Sequence, residues 1–131
     1  MTEIKTTPIS IATKTRWRKE LRALPSEARD VYAAQEIARH YQPGDAIAPG
    51  VILCQAFDVI ATYTIQTAMQ LLRERLLIRR DEETGYYIRT DKPAPDMKLE
   101  INEIVEEYTI APDAPSYHWS NERWGWVLDN E

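Results

Sequence analysis

A mainly α-helical fold with a small β-hairpin wing is what this sequence predicts, on three observations. Apolar residues recur at helical spacing, as in Ile65, Ala68, Met69 and Leu72. Two short alternating runs, Leu77-Ile78-Arg79-Arg80 and Tyr86-Tyr87-Ile88-Arg89, flank Asp81-Glu82-Glu83-Thr84-Gly85, which places a glycine at the bend of a hairpin. Between a Pro43-Gly44-Asp45 turn and that hairpin lie two short helical segments. Their order is that of a winged helix-turn-helix, here with helical N- and C-terminal extensions.

The elements follow in order. Thr13 or Thr15 is expected to cap a helix running to Leu24 and ended by Pro25, with Trp17, Leu21 and Leu24 on one face. Arg16, Arg18, Lys19 and Arg22 occupy its other sides. They make either a solvated face or, through Arg16, Arg18 and Lys19, an arm that contacts phosphate. Ser26 is expected to cap a second helix ending near Tyr41, with Val31, Ala34, Ala38 and Tyr41 as its buried stripe. Proline fixes φ and glycine permits positive φ, so Pro43-Gly44-Asp45 is a turn, and Ile47 marks a short strand after it.

Pro49-Gly50 starts a helix from Val51 to Phe57 that buries Leu53, Cys54 and Phe57. After a turn over Asp58 to Ala61, Thr62 opens a longer helix to about Arg75. Pro93 and Pro95 make a stiff linker, and Asp96 is expected to cap a helix to about Tyr108 that turns Ile101, Ile104, Val105 and Tyr108 to one side. Tyr117 to Leu128 suits a small hairpin around Ser120-Asn121 and holds three of the four tryptophans. Three parts are therefore expected: residues 1–25 as an N-terminal extension with a basic amphipathic helix, 26–92 as the winged-helix domain, and 93–131 as an acidic, tryptophan-rich tail.

At 131 residues, 44% hydrophobic and 28% charged, the chain has the composition of an ordinary globular protein with one modest core. The single cysteine, Cys54, rules out an internal disulfide and fits a reducing cytoplasm. No apolar run follows a basic start, and no uncharged stretch is long enough for a bilayer, so neither secretion nor a membrane is expected. Net charge is −5, unevenly spread: residues 1–30 balance to +3, residues 31–95 to −1 and residues 96–131 to −7.

Four fragments in sequence resemble the DNA-binding domain of GntR-family transcription regulators, over about residues 30–90. They are Pro43-Gly44-Asp45-Ala46-Ile47, Leu53-Cys54-Gln55-Ala56-Phe57, Thr64-Ile65-Gln66-Thr67-Ala68 with Leu71-Leu72, and Gly85-Tyr86-Tyr87-Ile88-Arg89. The departures fall on DNA-reading positions. The family's proline-serine-glutamate-arginine start to the second helix is here Pro49-Gly50-Val51-Ile52. The arginine usual at the start of the recognition helix is Thr62, the glycine after it is Leu76, and the wing tip is Asp81-Glu82-Glu83.

The resemblance implies a cytoplasmic, sequence-specific regulator, by family habit a repressor, that acts as a dimer on double-stranded DNA and needs no cofactor. The exposed face of the helix from Thr62 would then read bases. Gln66 and Gln70 match adenine N6 and N7, and the methyls of Thr62, Thr64 and Thr67 match thymine. Tyr63 and Thr64 lie near phosphate, and Arg73, Arg79, Arg80 and Arg89 supply positive charge. Ile104, Tyr108, Trp119, Trp124 and Trp126 are candidates for an interface with a second copy or another protein. The acidic wing and tail also fit an alternative, a winged-helix protein-interaction module, adaptor or DNA mimic, that has lost DNA binding. An enzyme is not expected: His40, His118 and Cys54 have no partners at catalytic or metal-binding spacing, and no glycine-rich phosphate loop is present.

Overall fold

The structure, a computed structural model, describes residues 6–60, 62–108 and 117–128, with the backbone alone described for 117–120 and 126–128. It is mainly helical with small antiparallel hairpins. In chain order come α1 (Ile11–Ala23), α2 (Ser26–His40), α3 (Gly50–Phe57), α4 (Tyr63–Glu74), β1 (Ile78–Arg80), β2 (Tyr87–Arg89), α5 (Lys98–Tyr108), β3 (Tyr117–Ser120) and β4 (Gly125–Leu128).

Helix α2 is the hub. Every residue from Val31 to Ala38 is buried, because α1, α4 and α5 pack around it. Its polar members are engaged: Gln35 accepts the Met97 amide at 2.8 Å, and Glu36 faces Arg16 at 3.4 Å. The Tyr32 hydroxyl donates to Glu20 of α1, and burial beside these carboxylates raises its pKa. The N-terminal flank of α2 is Pro25, with Ser26 its first residue rather than its cap.

Helix α1 begins earlier than Thr13 or Thr15 suggests. Ser10 is the cap, and its hydroxyl accepts the Thr13 amide at 3.1 Å. Trp17 is fully buried and stacks on Phe57 of α3, with ring centroids 4.3 Å apart and planes 2° apart. The N-terminal helix thus contributes to the central core, and so do Met97 and Ile101 from the C-terminal side.

Helix α4 ends in a hydrogen-bonded stop: Leu77 donates to the Leu72 carbonyl at 2.9 Å and Leu76 to that of Arg73 at 3.1 Å. Leu76 takes φ +60° to do so. Strands β1 and β2 pair Ile78 with Arg89 and Arg80 with Tyr87. The segment before α3 joins them, with Ala46 bridged to Ile88 and Ile47 donating to the Tyr87 carbonyl at 2.8 Å. Gly44 at φ +89° turns the chain into that bridge, and Gly85 at φ +79° closes the hairpin. Asp45 is buried, and its carboxylate accepts the Gln42 amide and the Thr7 hydroxyl.

Helix α5 is anchored by Ile101 and by a two-pronged Arg75–Glu100 ion pair at 2.8 and 2.9 Å. Its expected apolar side is only partly covered: Ile104 and Val105 are half-buried, and Tyr108 is exposed. Strands β3 and β4 form the second hairpin, with Trp119 opposite Trp126 and a turn over 121–124.

Candidate nucleic-acid interface

The α3–turn–α4 pair and the β1–β2 hairpin enclose an open groove of about 1280 Å³. Helix α4 forms one wall. It buries Ile65, Ala68 and Leu72 against α2, which turns Thr62, Tyr63, Gln66, Gln70 and Arg73 outward, all exposed, with Thr64 and Thr67 half-buried beside them. Of these, Thr62, Gln66, Gln70 and Arg73 line the groove. Ala48, Pro49, Gly50 and Val51 form its end, and Thr84 to Tyr87 its far wall.

Three features set its chemistry. Neither α3 nor α4 has a side-chain cap at its N-terminus, and both starts border the groove, which puts two amide-rich, partially positive helix ends at its edge. Arg73 lies over the Tyr87 ring, 5.8 Å from its centroid, which draws its guanidinium toward the hairpin wall. Gln70 donates to Glu74 at 3.2 Å, so one of its donors is already occupied.

Several sequence-derived candidates sit elsewhere. Arg89 is 3% exposed and cannot supply phosphate charge: it donates to the carbonyls of Ala38, Thr90 and Lys92 at 2.7–2.9 Å. Arg18 caps the C-terminus of α3, donating to the Gln55 and Ala56 carbonyls at 2.7 and 3.2 Å, and is not a phosphate arm. Arg16 leans on Glu36, while Lys19 is exposed. Arg79 and Arg80 are exposed on β1.

Of the candidate interface residues, Ile104 is half-buried, and Tyr108 and Trp124 are exposed. For Trp119 and Trp126 the side chains lie outside the described part. Asp81 belongs to the hairpin turn, accepting from Thr84 at 2.7 Å, and Glu82 and Glu83 project at the tip.

Not anticipated from the sequence are Val51 and Ile60, 63% and 101% exposed at the end of the groove, and Ile52, which follows Val51 on α3 and is 44% exposed. The signal was present, since the core face of α3 is filled by Leu53, Cys54 and Phe57 and leaves Val51 and Ile52 with nowhere to bury. Among the described residues no group of three or more His, Cys, Asp or Glu side chains can hold a metal, and no helix is long and apolar enough to cross a membrane. Comparison of the chain with protein-family models, with curated proteins and with solved structures finds no match.

Proposed function

We propose that this protein is a sequence-specific DNA-binding regulator of transcription built on a winged helix-turn-helix, with α4 as the helix that enters the major groove and β1–β2 as the wing. The observation that carries the reading is the open polar face of α4: Thr62, Gln66, Gln70 and Arg73 are exposed beside a hairpin, while the opposite face is packed on α2. The order from α2 through the Ala46–Ile88 bridge, α3, α4 and the hairpin is that of winged-helix proteins, and the fragments resembling GntR regulators fall on the same elements. The groove between α4 and the wing suits an edge of duplex DNA, its phosphates held by the uncapped helix starts and Arg73 and its bases left to the side chains of α4. Such regulators read two half-sites as dimers; a homodimer is part of the proposal, with exposed Tyr108 and Trp124 among its candidate contacts. The test is retention on heparin together with gel shifts on pooled genomic fragments. Binding by the intact chain, lost in Gln66→Ala/Arg73→Ala, supports the reading.

A second reading is favoured by the exposed apolar side chains Val51, Ile52 and Ile60 and by the acidic tip at Glu82 and Glu83. Both suit a protein surface better than phosphate, so a winged-helix interaction module is the alternative. It requires a specific protein partner and no binding to heparin or duplex.

A further inference from the structure

The apolar side chains at the groove end share one wall system with the glutamines of α4. Val51 and Ile60 line the same space as Thr62, Gln66 and Gln70. They are 63% and 101% exposed, so the fold does not need them there. On the edge of a DNA base pair in the major groove, thymine's C5 methyl is the one apolar group, and G·C pairs show only polar atoms and ring carbons. The usual reader of guanine is a forked arginine. Helix α4 has no arginine or lysine before Arg73, near its C-terminal end. Its first two turns offer hydroxyls and an amide that matches adenine, and Val51 on α3 and Ile60 before α4 add two aliphatic groups to the same groove.

We propose that the groove selects A·T pairs, with Val51 and Ile60 packing on thymine methyls while Gln66 pairs with an adjacent adenine. This rests on the DNA-binding reading above and goes further by fixing the class of sequence. The backbone phosphates fall to the uncapped starts of α3 and α4 and to Arg73, which leaves the aliphatic side chains to the base edges. Excluding water from one methyl contributes about as much as burying a methylene, which amounts to about a fourfold change in affinity.

The experiment selects duplexes from a random pool with the full chain, then compares the best duplex with a copy carrying deoxyuridine for each thymine. Deoxyuridine keeps the pairing and every polar atom and removes only the methyl. The expected result is an A·T-rich core and about a fourfold loss for each contacted thymine. Val51→Ser and Ile60→Ser, both at exposed positions, are expected to reduce that loss while the protein still binds. Equal affinity for the two duplexes, or selection of a G·C-rich core, overturns this inference and leaves DNA binding standing. Failure to retain any duplex overturns both.

Discussion

Arg89 donates its Nε to the carbonyl of Ala38 at 2.9 Å, and so ties β2 of the hairpin to the last turn of the central helix. Its other bonds go to Thr90 and Lys92, and burial lowers its pKa from the ordinary arginine value. The side chain that sequence assigns to phosphate is a fastener of the hairpin. Arg89→Ala strands three carbonyl acceptors and is expected to cost about 3 kcal/mol. Thermal unfolding would then fall by roughly 10 °C. A variant that keeps wild-type stability but loses duplex affinity would contradict this placement.

Leu76 occupies the left-handed position after α4, at φ +60°, and is 70% exposed. A non-glycine residue there costs about 1–2 kcal/mol, and a glycine adds less than that in unfolded-state entropy. Leu76→Gly is therefore expected to stabilise the protein by about 0.5–1 kcal/mol, read as a higher urea midpoint at unchanged slope. Little packing is lost, because the buried partners of the stop are Leu72 and Leu77.

The periodic part of the fold was legible in the sequence, and the uses of its charges were not. The stripes of α2, α3 and α4 follow from spacing, since Val31, Ala34, Ala38, Leu53, Ile65 and Leu72 are all buried where the pattern puts them. The exposed Gln66 and Gln70 follow as the other side of the same helix. Nothing local distinguishes Arg18 or Arg89 from Arg73, however. Their roles depend on carbonyls that are distant in sequence: Gln55 lies 37 positions from Arg18, and Ala38 lies 51 from Arg89. The groove was hidden for the same reason, being assembled from α3, α4 and the hairpin. Ser10 was overlooked as a cap because Ile11 and Ala12 precede the first obvious stripe residue, Trp17.

Gln66 and Gln70 are not equivalent on the proposed reading face. Gln70 shares one of its two amide N–H groups with Glu74, and Gln66 is set nearer the start of α4. Gln66→Ala is expected to cost about 1–3 kcal/mol on a selected duplex and to relax preference at one base pair. Gln70→Ala should cost less. Equal losses spread over all sequences would point to phosphate contact instead, and are checked by titrating a panel of single-base variants.

Glu100 has its pKa lowered chiefly by hydrogen bonds from Arg75, whose own pKa is raised by the same bonds. A carboxylate with a depressed folded-state pKa contributes stability in full above its unfolded value, about 4.3. That contribution disappears as pH falls through the lower folded value. The pair is partly solvent-exposed, so it is worth less than about 1 kcal/mol. Wild type and Glu100→Gln should therefore differ in urea midpoint at pH 7 and converge in acid. A difference that persists below pH 3 would assign the effect to packing of α5 rather than to the ion pair.

Salt dependence tests the electrostatic side of the proposal. Near the groove and on the hairpin, Arg73, Arg79 and Arg80 are exposed, while Glu82 and Glu83 stand at the hairpin tip and oppose a phosphate strand. With about three phosphates neutralised, the slope of log affinity against log salt is expected near −3, since each contributes about −0.9. Glu82→Lys and Glu83→Lys remove repulsion and add attraction, and leave intact the Asp81–Thr84 bond that shapes the turn. If the tip lies against DNA, the double variant binds more tightly at low salt and its slope steepens by up to about −2. An unchanged slope would place the tip away from the duplex, and would leave α4 with Arg73 to carry the contact.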